Sequence, residues 1–133
     1  MEAIIQYTDG VKFEAECRGH RVLCDQPAGN GGEDAGMSPP EFLLTSLGTC
    51  AGYYALQYLR TRSLPVEGLQ VRVIAEKATG PTRLGSFRIE VAAPELKPHH
   101  QQGILRAVKS CLAHNTLLQP PQIETVLTAR AAC

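Results

Sequence analysis

Residues 3–25 largely alternate between apolar and polar positions, the period-2 pattern of strands with one buried face. Three runs, residues 3–7, 11–17 and 20–24, are separated by Thr8-Asp9-Gly10 and Arg18-Gly19, whose glycines tolerate the positive φ that tight hairpin turns require. They predict a three-stranded antiparallel meander. Residues 26–37 hold four glycines and a proline, too many for a regular element, and predict a long loop suited to wall a site.

Ser38-Pro39-Pro40-Glu41 carries three helix-start signals: Ser at the N-cap, Pro at the first helical position, and Glu placed to complete a capping box. Behind it Leu43, Leu47, Cys50, Tyr54 and Tyr58 recur at three- to four-residue spacing, flanked by Leu44, Ala51 and Ala55. This predicts a helix of about six turns ending near residues 60–63, before Pro65, with a stripe wide enough to be buried on more than one side. Gly48 and Gly52 inside it each cost about 1 kcal/mol relative to Ala, which predicts a close neighbour there.

Residues 69–76 and 85–91 alternate again around Thr79-Gly80-Pro81-Thr82 and predict a second hairpin. Lys97-Pro98-His99-His100 introduces a second amphipathic helix with Ile104, Leu105, Val108, Cys111 and Leu112 on one face, closing near Asn115. Pro120-Pro121 then breaks the chain before a final strand over residues 123–129. The order βββ-α-ββ-α-β predicts an α+β fold with mainly antiparallel sheets. At this length a single domain over residues 1–133 is expected, large enough to bury a core unaided.

Thirteen Lys+Arg balance thirteen Asp+Glu, so there is no long-range field to gather nucleic acid or an anionic membrane, and neither is expected as a partner. Near-zero net charge also leaves little repulsion against self-association. The chain opens with no basic and apolar leader pattern and holds no long apolar span, which predicts a soluble, cytoplasmic protein. His99-His100 has no third ligand at metal spacing and reads as exposed polar surface; no metal site is expected.

Five cysteines, at positions 17, 24, 50, 111 and 133, form no C-x-x-C pair and suit neither a disulfide scaffold nor a zinc site. In a reducing compartment a cysteine that matters does so by reacting. Cys50 and Cys111 each fall on the apolar face of a predicted helix and could be neighbours, although packing as small hydrophobes is the competing reading. Cys17 and Cys24 lie on neighbouring predicted strands, could face each other and read as structural, while Cys133 is terminal and incidental.

The stretch Gly36-Met37-Ser38-Pro39-Pro40-Glu41-Phe42-Leu43-Leu44-Thr45-Ser46-Leu47-Gly48-Thr49-Cys50 resembles the helix-opening signature of the osmotically inducible protein C and organic hydroperoxide resistance (OsmC/Ohr) superfamily. There a Gly-x-x-Pro opening leads into a Leu-Leu turn, small residues and a Cys. Ser110-Cys111-Leu112-Ala113-His114-Asn115-Thr116-Leu117 is similar to the second family mark, a later helix ending in Cys shortly before an Asn-x-Leu turn. Asp25-x-Pro27 followed by Gly31-Gly32-Glu33-Asp34 fits the loop before the first signature, and with the element order the resemblance covers essentially the whole chain.

The resemblance implies an intertwined homodimer with the long helices central and two sites where the chains meet. It further implies thiol-dependent reduction of small organic hydroperoxides, with an external dithiol as reductant and no metal or organic cofactor. Carried over, Cys50 would be the peroxidatic cysteine and Cys111 the resolving one. Peroxide-reducing members activate the first with an Arg after the glycines of the first hairpin turn, oriented by a Glu near the helix start. In this chain Val11 or Lys12 stands in place of that Arg, and Pro40 matches the Glu position with Glu41 one residue later.

Lys12 and Glu41 are therefore the candidate activating residues, although Lys is a flexible point charge without the fork of Arg. Arg18, Arg21, Arg60 and His114 are other sources of a cation, and capping is the competing role for Glu41. The alternative to a peroxide reductase is a non-catalytic dimer holding a small apolar ligand in an interface cavity around Cys50. A dimer with inert core cysteines is the third reading.

Overall fold

Gly10, at φ 52°, and the pair Arg18 and Gly19, at 53° and 81°, turn the first three strands back on themselves. These strands, β1 (Ile4–Tyr7), β2 (Phe13–Cys17) and β3 (His20–Cys24), form the expected antiparallel meander in the order β1-β2-β3. Two consecutive positive φ values define the tight hairpin whose twist matches its strands, and such a turn fixes register. Here it pairs Cys17 with His20 and Phe13 with Cys24. Cys17 and Cys24 thus sit at opposite ends of the hairpin, and the expectation that they could face each other is corrected.

The computed structural model describes residues 1–129, so Cys133 lies outside the described residues. Residues 26–37 are a loop as expected, except that Ala28–Asn30 make one 3₁₀ turn, closed by Gly31 in the left-handed conformation at φ 83°. Helix α1 (Pro39–Arg60) follows, with Ser38 at its N-cap and Pro39 at its first position. It buries Leu47, Ala51, Ala55 and Leu59 at four-residue spacing, while Cys50, Tyr54 and Tyr58 are half-buried and Leu43 is exposed. The buried stripe is therefore rotated from the predicted one toward the small alanines, which let a neighbouring helix approach closely.

Strands β4 (Gln70–Ala78) and β5 (Arg83–Ala92) pair antiparallel, with an irregularity at Glu76/Lys77. This hairpin is the close neighbour that Gly48 and Gly52 predict: a Cβ on Gly48 would lie 3.0 Å from Val73 Cγ2, and one on Gly52 3.5 Å from Val71 Cγ2.

The second predicted helix is two helices, α2 (Pro98–Lys109) and α3 (Leu112–Leu118). Between them Cys111, at φ −60° and ψ 133°, is extended and caps α3, so it does not sit on a helix face as expected. Apolar spacing through Ile104, Val108, Cys111 and Leu112 is blind to one residue leaving helical dihedrals. No strand forms over residues 119–129, although residues 123–129 carry a strand pattern. A strand needs a hydrogen-bonding neighbour, and β5 pairs with β4 alone among the described residues.

Helix α1 is the hub, in contact with β4, β5, α2 and α3. The core joins Ala51, Ala55 and Leu59 to Ile104 and Val108, backed by Val71, Ile89 and Val91. Where α1 crosses α2, buried Gly103 lies against Tyr58, whose Oη is 3.1 Å from His100 Nδ1 and whose ring carries the Arg62 guanidinium at 3.8 Å. His100 is therefore half-buried and engaged rather than bare surface. A Cβ on Gly103 would overlap the Tyr58 ring and hydroxyl. Gly103→Ala is expected to destabilise by about 1–3 kcal/mol through overpacking, against the roughly 1 kcal/mol that Ala gains in helix propensity. A urea midpoint equal to or above that of the parent would mean that the ring swings aside freely.

Among the described residues no helix is long and apolar enough to cross a membrane, and no three His, Cys, Asp or Glu side chains converge as a metal site.

Candidate active site

Helix α1 carries Cys50 three turns from its start, and the break between α2 and α3 carries Cys111 against it. Their thiols are close enough to bear on each other's ionisation and are not joined as a disulfide. Cys50 is half-buried, Cys111 fully buried. The break matters because the first N–H groups of a helix have no partner within it. Those of Leu112 and Ala113 face the Cys50 sulfur.

The two thiols are pushed in opposite directions. Burial acts most strongly on Cys50 and opposes its thiolate, yet the Ala113 N–H, the Cys111 side chain and the Leu112 N–H together outweigh it. They hold the Cys50 thiol below its ordinary value. Burial pushes the Cys111 thiol up, and its neighbour Cys50 adds to the rise, more than the N–H groups of His114 and Ala113 offset. The pair divides into one thiol disposed to ionise and one disposed to stay protonated.

Glu41 and Lys12 are held elsewhere within the chain. Glu41 Oε2 accepts from the Ser38 N–H at 2.7 Å and the Ser38 Oγ at 2.8 Å, which keeps its carboxyl below the usual range and fixes the start of α1. Lys12 Nζ pairs with Glu33 at 2.5 Å and Asp9 at 3.1 Å, and these two carboxylates, Glu33 foremost, raise its pKa. Of the other cations, Arg21 is paired with Glu16 at 3.0 Å, Arg60 lies in the last turn of α1, and His114 Nδ1 is 3.1 Å from the Lys109 carbonyl. Arg18 supplies a turn. Among the described residues, the groups that favour the Cys50 thiolate are N–H dipoles and Cys111.

Sequence reading gave Asp25 no role beyond a place in a loop pattern, yet it organises the loop beside the helix start. It is completely buried. Its Oδ1 accepts from the Gln26 N–H at 2.8 Å, and its Oδ2 from the N–H groups of Glu33 and Ala35 at 3.0 Å each. The Ala35 bond contributes most to holding its carboxyl below the usual range, outweighing the opposing effect of burial, with Gln26, Glu33 and the charge of Lys12 assisting. The signal was an acidic residue directly before a Gly- and Pro-rich loop, the place for a carboxylate that collects loop amides.

Near the cysteine pair lies an apolar recess of about 190 Å³, between Leu43 and Leu47 of α1 and Leu112 and Leu117 of α3.

The model of the OsmC-like protein family matches residues 31–126, which is most of the chain and includes both cysteines. The chain belongs to the OsmC family. Solved structures with the OsmC fold agree at low sequence identity. An osmotic stress induced and detoxification response protein from Psychrobacter arcticus 273-4 superposes with a TM-score of 0.78 at 20% identity, covering 86% of this chain and 85% of that one. An OsmC-like protein from Mycoplasma pneumoniae gives 0.71 at 21%, covering 90% and 87%. An organic hydroperoxide resistance protein from Elizabethkingia anophelis gives 0.60 at 18%, covering 86% and 84%. No curated protein matches the sequence. The fold class expected from the sequence, α+β with antiparallel sheets, is the OsmC fold.

Proposed function

We propose that this OsmC-family protein is a thiol-dependent redox protein that reduces organic hydroperoxides as a homodimer. The observation that carries the reading is the Cys50–Cys111 contact, in which one thiol is disposed to ionise and the other to stay protonated. The Cys50 thiolate attacks the terminal peroxide oxygen and breaks the O–O bond; with one proton the leaving alkoxide becomes an alcohol, and Cys50 becomes a sulfenic acid. The Cys111 thiol then attacks the Cys50 sulfur, forming a disulfide and releasing water. An external dithiol is oxidised as it returns both cysteines to thiols. In this reading Glu41 and Lys12 position the helix start and the loop, and the peptide N–H groups of Leu112 and Ala113 favour the thiolate. The apolar recess beside the pair suits the organic part of the substrate.

Self-association is supported by what one protomer leaves uncovered. Ile4, Ile5, Tyr7 and Phe13 of the meander are exposed, as are Ile123, Val126 and Leu127 in the unpaired tail, an apolar load that isolated soluble chains rarely present. A second copy can cover the meander and pair with residues 123–129. The family names of OsmC-fold structures, among them the hydroperoxide resistance protein above, point to the same stress-response chemistry.

The test is one equivalent of tert-butyl hydroperoxide added to the fully reduced protein, followed by non-reducing intact mass and peptide mapping. Rapid loss of two hydrogens, mapped to a Cys50–Cys111 disulfide, is expected. If both thiols stay reduced, the redox reading fails, and the recess beside Cys50 becomes the place to seek a small apolar ligand.

A further inference from the structure

A larger hollow, about 520 Å³, opens between β5, α2 and α3, and Cys50 and Cys111 do not line it. Its volume lies within the roughly 300–1,000 Å³ of small-molecule sites. The wall is apolar, formed by Leu47, Leu84, Phe87, Leu105, Val108 and Leu117. Three polar side chains interrupt it: Ser86, Lys109 and His114.

Lys109 is the one charged residue lining the hollow, and it joins no ion pair among the described residues. The Lys109 carbonyl, 3.1 Å from His114 Nδ1, can only accept a hydrogen bond, so Nδ1 donates to it and Nε2 is the ring nitrogen not engaged there. An apolar wall with one cation, an imidazole and a hydroxyl is complementary to a molecule with a long alkyl part and a single anionic head. It is wrong for a cationic amphiphile, which would set like charges together.

We propose that this hollow binds an amphipathic monocarboxylate, its carboxylate on Lys109 and its alkyl chain along Leu84, Phe87 and Leu105. The proposal does not rest on the redox reading, because the cysteine pair takes no part in it.

Decanoate, used below its micellar concentration, is the probe, titrated calorimetrically into the full chain. Saturable binding at one site per chain is expected, with octanoate about tenfold weaker because each methylene contributes about three- to fourfold. Decylammonium is expected to bind at least about tenfold more weakly than decanoate, and Lys109→Glu should reverse that order. Ser86→Trp should fill the hollow and remove decanoate binding while the far-ultraviolet circular dichroism stays unchanged. Cys50→Ser should bind decanoate as the parent does, which separates this site from the redox site. The proposal is overturned by absence of saturable binding, as when a second copy covers the hollow, by equal affinities for decanoate and decylammonium, or by unchanged decanoate affinity in Lys109→Glu.

Discussion

Cys50→Ser is expected to abolish hydroperoxide turnover, by at least about a thousandfold, because removing a nucleophile leaves only binding. Cys111→Ser should behave differently. Its Cys50 still attacks the first equivalent of peroxide at close to the parent rate, but the sulfenic acid has no partner and proceeds to the sulfinic acid, trapped by mass as a gain of two oxygens. Turnover with a dithiol should fall while the single-turnover rate survives. A pH series separates this from mere structural damage. With its thiol held below the ordinary value, Cys50 in the parent should react at pH values where a free thiol is protonated. Loss of the Cys111 contact should move that inflection upward from the parent's, because Cys111 is one of the groups that offset the burial of Cys50. Equal residual turnover in both serine variants, or a parent inflection at the free-thiol position, would remove the assigned roles.

What could be read beforehand follows the range of the interactions. The start of α1 was legible because a capping box is local: Ser38 and Glu41 are three residues apart, and the bonds between them need nothing else. The meander was legible because Gly10 and Gly19 announce its turns. Gly48 and Gly52 announced a neighbour without naming it, and only the fold identifies β4. Features made by loop closure were not legible. Lys12 meets Glu33 across 21 residues and Asp25 reaches Ala35 across 10, and no periodicity encodes such pairings. The break at Cys111 escaped for another reason, since a helix cap of Cys carries no capping signature, yet that break aims two peptide N–H groups at Cys50. The pairing of Cys50 with Cys111 was suggested by family resemblance, and spacing alone left it open. The strand pattern in residues 123–129 describes a segment that pairs with no strand among the described residues.

Asp25→Ala should be the most destabilising single change outside the core. The carboxylate is completely buried and satisfies three peptide N–H groups, so its removal strands three donors in a loop that cannot readily turn them to water. A fall in Tm of about 10 °C or more is expected at pH 7. Asp25→Asn keeps the shape but presents an amide N–H to peptide N–H groups, and should recover only part of the loss. The sign of the pH dependence follows from the depressed pKa of Asp25. A carboxyl whose folded value lies below its unfolded value of about 3.9 contributes stability that is present above that value and lost as pH falls through the folded one. The Tm gap between parent and Asp25→Asn should therefore be full at pH 7 and narrow below about pH 4. A gap independent of pH down to acid unfolding would mean that the oxygen geometry matters and the charge does not. Loss of the loop also has a consequence at Lys12, because Glu33 is held by its own N–H on Asp25 Oδ2 and pairs with that ammonium. With Asp25 gone, both the loop and the first hairpin turn lose their common anchor, and proteolysis within residues 26–37 should accelerate well before global unfolding.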